Sequence, residues 1–111
     1  TITVEEAFDY VNDLGGVCYP AHIDKNSNSI IAMLGDIPPH IPYTCFEFHD
    51  TSKIDEFKSK YPILNGKRIV SNSDAHTLGL INDRSNCIDI GGNTEEEITH
   101  ELLLYLKEGV R

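Results

Sequence analysis

The chain has 111 residues, 18 acidic against 9 basic side chains, a formal charge of −9, and 40% apolar and 24% charged residues. That length supports one domain (1–111) with a modest core, and the composition is that of an ordinary soluble globular protein. The acidic balance excludes a bare electrostatic nucleic-acid binder, and no apolar run approaches the ~20 residues of a membrane span, so cytosolic residence away from membranes is expected.

Thr3-Val-Glu-Glu6 has capping-box spacing, and Val4, Phe8, Val11 and Leu14 recur at helical intervals behind it, predicting a first helix that Gly15-Gly16 stops. Position 1 is not Met and lies just ahead of that cap, which suggests a piece of a longer chain cut at an element boundary. Residues 17–19 (VCY) read as a first short buried strand running into Pro20-Ala21-His22-Ile23-Asp24. Caps at Asn26 to Asn28 predict a short helix over 29–34, closed by Gly35. The three prolines in 36–43 impose irregular chain.

Residues 44–48 (TCFEF) read as the second strand, ending in His49-Asp50. Thr51 or Ser52 then caps a helix with Ile54, Phe57 and Tyr61 on one face, ended near Pro62. After the Asn65-Gly66 turn, residues 68–72 (RIVSN) form the third strand and 87–90 (CIDI) the fourth. Thr94-Glu-Glu-Glu97 is a second capping box, opening a helix with Ile98, Leu102, Tyr105 and Leu106 on one face. Strands mostly alternate with helices, so the expected fold is α/β with about four mainly parallel strands. Cys18, Cys45 and Cys87 form no close pair and read as reduced thiols, the first two as small core residues.

Ligands of parallel α/β sheets bind beyond the carboxyl ends of the strands. The first strand delivers His22 to that end, the second Glu47 and His49, and the third Asp74 and His76. Alternate residues of extended chain share a side, so Asp74 and His76 can address one ion or two adjacent ones. Imidazole with carboxylate suits Zn, Mn or Fe better than Ca or Mg. On the spacing alone, a polar loop cap without chemistry stays open as the other reading.

The segments GGVCYPAHIDK (15–25) and VSNSDAHTLGLI (70–81) together resemble the PHP (polymerase and histidinol phosphatase) domain, and more narrowly the stand-alone bacterial PHP phosphoesterases. The resemblance implies a distorted seven-stranded β/α barrel with two or three divalent metals at the strand ends. It implies metal-ligand roles for His22, matching the family's AH motif, and for Asp74 and His76, matching its terminal D-x-H. The family's early HxH motif and mid-chain ligands have no counterpart here, and Ile23-Asp24 stands where proline is common. The resemblance thus covers the C-terminal half of the barrel.

By the same resemblance, the metals generate a hydroxide that attacks phosphorus in line, hydrolysing a phosphomonoester, a nucleotide or a short oligonucleotide. Lys25 and Arg84 are then either partners of phosphate oxygens or solvated surface cations. Glu47, His49, Ser71 and Ser73 either orient the ligands or cap their loops. His40 and His100 read as exposed. Half a metal cage predicts little turnover from the chain alone, the missing N-terminal half as its partner, and a tendency to form homodimers through uncovered apolar surface. The competing reading is a non-catalytic α/β module that binds a metal or a partner.

Overall fold

Phe46 and Phe48 are fully buried and lie on one face of a short strand, and the fold is organised around them. A computed structural model describes residues 1–82 and 84–109. The elements in order are α1 (Val4–Asp13), α2 (Ile30–Leu34), β1 (Cys45–Phe48), α3 (Ile54–Lys60), β2 (Arg68–Ser71) and α4 (Glu95–Lys107). The result is a mixed α/β arrangement of two parallel strands and four α-helices, with short 3-10 turns at Thr51–Lys53, Pro62–Leu64 and Leu78–Leu80. Among the described residues no barrel is formed, and no helix is long and apolar enough to cross a membrane.

Both capping boxes form as their spacing predicts. Thr3 N–H donates to Glu6 Oε2 at 2.8 Å while Glu6 N–H donates to Thr3 Oγ1 at 3.1 Å. In α4, Glu97 N–H donates to Thr94 Oγ1 at 3.1 Å, and Glu97 Oε2 accepts in return from Thr94 N–H. Gly15 has φ +81° past the end of α1, and Gly16 brings the backbone so close that a Cβ there would lie 2.9 Å from Val11 Cγ1. Leu14 falls beyond the helix and is 84% exposed, so the apolar stripe of α1 ends at Val11.

Two helix starts differ from the expected ones. Ser29, and not Asn26 to Asn28, caps α2 by accepting from Ala32 N–H at 3.1 Å. Asp50 caps the turn ahead of α3, accepting from Ser52 N–H at 3.0 Å and Ser52 Oγ at 2.6 Å. A carboxylate is a stronger acceptor than the neighbouring hydroxyls and complements the positive end of the turn.

β1 and β2 pair in parallel with Cys45 opposite Arg68, Phe46 opposite Ile69, Glu47 opposite Val70 and Phe48 opposite Ser71. The core consists of Ile23, Ile37, Ile41, Tyr43, Phe46, Phe48 and Leu64, with Phe8, Ile54, Phe57 and Tyr61 packed against it. Fully burying one such phenyl or branched side chain contributes about 1.5–3 kcal/mol. Three of the core residues (Ile37, Ile41, Tyr43) come from the proline-rich segment. Its irregular backbone follows the core surface without needing a ladder.

Two of the four expected strands form no ladder. Residues 17–19 lead into Pro20, which has no N–H to donate. The contact with β1 reduces to Glu47 N–H bonding the Pro20 carbonyl at 3.1 Å and Ile23 N–H bonding the Glu47 carbonyl at 2.9 Å. Residues 87–90 are irregular, and Cys87, Ile88 and Asp89 are exposed. A cavity of about 200 Å³ is lined by Ile69 to Asn72 and by Ser85 to Ile88. With that cavity between them, residues 87–90 make no ladder with β2, and alternation over four residues does not hold a strand without a paired neighbour.

Helix α4 is fixed from one side by β2 and its approach. Arg68 Nε donates to the Tyr105 carbonyl at 3.1 Å with its guanidinium 3.8 Å from the ring centroid, and Thr44 Oγ1 donates to the Leu106 carbonyl at 2.9 Å. Cation–π contacts of this kind contribute about 0.5–2 kcal/mol.

All three cysteines are free, and they differ sharply in surroundings. Burial pushes the Cys45 thiol up to about 12 and raises that of half-buried Cys18, whereas Cys87 is exposed. In the folded protein at pH 8, Cys87 should react first with a thiol reagent such as DTNB, and Cys45 only on unfolding. Fast labelling of Cys45 under native conditions, read by peptide mapping, would contradict this core.

Candidate functional site

Parallel pairing sends the chain out of β1 and β2 at the same end of the sheet. The 20–25 loop is bonded alongside β1, so three loops meet there, carrying His22, His49, and Asp74 with His76. The geometry builds from the backbone upward. Asp24, 4% exposed, accepts from the backbone N–H groups of His49 and Asp50, both at 2.8 Å, and so ties the 20–25 loop to the end of β1. A buried carboxylate is tolerated because charge-assisted bonds satisfy both of its oxygens.

Glu47 makes the second tie. Its Oε1 accepts from His22 N–H at 3.0 Å and its Oε2 from Asn72 Nδ2 at 2.6 Å. Above it, His22 has φ 29° and Asp74 φ 51°, both in the left-handed region. A non-glycine residue held there costs about 1–3 kcal/mol, less for Asp, whose short polar side chain tolerates that region.

Lys25 Nζ lies 2.7 Å from Asp74 Oδ2, and His22 Nε2 lies 4.0 Å from the same oxygen. His76 Nδ1 bonds the Asp74 backbone carbonyl at 2.8 Å. A carbonyl can only accept, so Nδ1 carries the proton and Nε2 is left as the acceptor or ligand nitrogen. The Lys25 ammonium, first by its hydrogen bond, holds the Asp74 carboxyl below the usual carboxylate range, with smaller contributions in the same direction from His22 and His76.

The donor set fits a divalent cation in its chemistry and only in part in its arrangement. His22 Nδ1 is buried without a hydrogen-bond partner. A stranded buried polar atom costs about 1–3 kcal/mol. Imidazole and carboxylate each bind zinc at about 2.0–2.2 Å, so the 4.0 Å between His22 Nε2 and Asp74 Oδ2 lies near the span one shared ion bridges. Yet among the described residues no three His, Cys, Asp or Glu side chains are grouped closely enough to hold a metal. His22 and Asp74 make one edge of a site, His76 is exposed beside it, and Lys25 covers the carboxylate.

The remaining candidates are placed unequally. His49 is exposed and lines an open polar depression of about 490 Å³ with Asp50, Thr51, Ser71, Asn82, Ser85 and Asn86. Ser73 is half-buried in the Asp74 loop. Arg84 is exposed with φ 50°, and its carbonyl accepts from Cys87 Sγ at 3.3 Å; among the described residues its guanidinium has no carboxylate partner. His40 pairs with Glu5 at 2.8 Å on the surface, and His100 is exposed. Asn72 and Asp24 are the residues the motifs did not single out. The signal for Asp24 was a carboxylate directly after buried Ile23, and Asn72 lies two residues past the register partner of Glu47.

The class of site thus defined is a strand-end cluster of imidazole, carboxylate and ammonium groups on a parallel α/β sheet. No protein-family model, curated protein or solved structure matches the chain.

The depressed Asp74 carboxyl gives a direct check on this geometry. Its stabilising contribution is fully present above the unfolded-state value near 3.9 and is lost as pH falls through the lower folded value. Replacing Lys25→Met should move the Asp74 midpoint, followed by carboxyl carbon NMR, up toward the ordinary value. An unmoved midpoint would show that Lys25 is not its partner.

Proposed function

We propose that this chain is the C-terminal half of a PHP-like barrel and carries part of the metal site of a phosphoesterase acting on phosphomonoesters, nucleotides or short oligonucleotides. The observation that supports the reading best is the meeting of His22, Asp74 and Lys25 at one sheet end, with His22 Nε2 4.0 Å from the Asp74 carboxylate. His22, Asp74 and His76 would hold the ion, zinc, manganese or iron by their donor chemistry. A complete domain would hold two or three such ions. When bound, the metal supplies Lewis-acid activation of water and of the phosphate oxygens.

The residues of this chain supply position and charge. The bond to the Asp74 carbonyl fixes the tautomer of His76, and Lys25, released from Asp74, and Arg84 are the cations that would neutralise phosphate oxygens. Exposed apolar side chains support a missing half. Leu78 is 88% and Met33 76% exposed, and Leu80 and Ile81 stand out from the same loop as Leu78. The radius of gyration of 14.6 Å exceeds the roughly 13 Å of a compact domain this long. The N-terminal half of the barrel, or a second copy of the chain, would cover that surface.

The incomplete ligand set favours one other reading, a non-catalytic module that binds a metal or a partner without turnover. Both readings expect little phosphatase activity from the chain alone. They share a first test, isothermal titration with Mn²⁺ or Co²⁺, in which the chain should bind and the double variant Asp74→Asn, His76→Ala should not. Full binding by that variant, or none by the unaltered chain, would overturn the site. Joined to an N-terminal half that bears an HxH motif, the phosphoesterase reading expects metal-dependent hydrolysis and the module reading none.

A further inference from the structure

We infer that Glu47 is a positioning residue that sets the spacing between the His22 loop and the Asp74 loop, an inference that rests on the metal-site reading above. Glu47 is the one charged residue in β1, whose other members, Cys45, Phe46 and Phe48, are all fully buried. Packing does not ask for a carboxylate there, and its hydrogen bonds do.

Four bonds leave this single residue. Its N–H and C=O hold Pro20 and Ile23 at 3.1 and 2.9 Å, on either side of His22. Its Oε1 takes the His22 N–H at 3.0 Å, and its Oε2 takes the Asn72 amide at 2.6 Å. Strand periodicity explains the last contact. Glu47 is opposite Val70, and Asn72 follows two residues later on the same side. Asn72 in turn opens the loop in which Asp74 adopts φ 51°.

One carboxylate therefore grips both loops that carry the site, and grips His22 where its backbone is strained at φ 29°. Both oxygens are engaged as acceptors, so Glu47 acts through His22 and Asn72 and would leave an ion to His22, Asp74 and His76. Loss of partners that orient metal ligands commonly weakens metal binding about 10–100-fold.

The test compares Glu47→Ala, Glu47→Gln and Leu64→Ala in the full chain by cobalt(II) titration, thermal melting and amide NMR shifts. Glu47→Ala should weaken Co²⁺ at least ~10-fold. Glu47→Gln keeps an acceptor for His22 N–H, and Asn72 can turn its amide to match, so affinity should recover to within about threefold of the unaltered chain. Leu64→Ala empties a buried core position that takes no part in these bonds, lowers the melting temperature, and should leave Co²⁺ affinity within about twofold.

Unchanged affinity in Glu47→Ala, or equal losses in Glu47→Ala and Leu64→Ala, would overturn the role. If the unaltered chain binds no Co²⁺, the metal reading fails on its own, and the amide shifts then decide the positioning. His22 and Asp74 amides should move together in Glu47→Ala, and their staying in place would overturn it. Should Glu47→Ala not fold, Asn72→Ala replaces it: the Asp74 amide should move and Co²⁺ affinity fall, and no change in either would overturn the proposal.

Discussion

Four residues of parallel pairing, Cys45–Phe48 against Arg68–Ser71, set the sheet end at which His22, His49, Asp74 and His76 collect. Parallel strands deliver their following loops to one end, and the buried Phe46 and Phe48 fix which face of β1 turns inward. A register slip of one residue would reverse that face, move Glu47 into the core and separate it from Asn72. The register therefore sets the placement of the candidate site as well as the packing.

The pairing is short for that duty, and side chains compensate for the missing ladder. Asp24 binds the two backbone N–H groups just beyond β1, Glu47 spans the loops on either side, and Arg68 and Thr44 bring the end of α4 against the sheet. Charged side chains inside a sheet are costly unless fully bonded. Here the bonds go to backbone and amide groups of the loops that bear the candidate ligands, so the polar interior and the candidate site are one network.

Much of this was legible in residue order. The capping boxes at Thr3 and Thr94, the strands at 44–48 and 68–72, and the chain ends that carry His22 and Asp74 all follow from local spacing, which local physics controls. The strands expected at 17–19 and 87–90 did not form, because a strand depends on what pairs with it. Pro20 removes a donor on one side, and a cavity stands between residues 85–88 and β2 on the other. The core contribution of Ile37, Ile41 and Tyr43 was hidden by the prolines around them, which signal irregular backbone but say nothing of burial. Asn72 and Lys25 owe their roles to contacts across 25 and 49 residues of sequence, and no periodicity reports on such contacts.

On the proposed reading, the His22 and Asp74 loops form one cation-binding edge at the carboxyl end of the parallel pair. Titration of isotope-labelled chain with substoichiometric Mn²⁺ tests it most directly, because paramagnetic broadening marks the nearest nuclei. The amide signals of His22, Asp74 and His76 should broaden first and together. Broadening that begins instead at the exposed acidic turn Glu95 to Glu97, or is uniform along the chain, would contradict it.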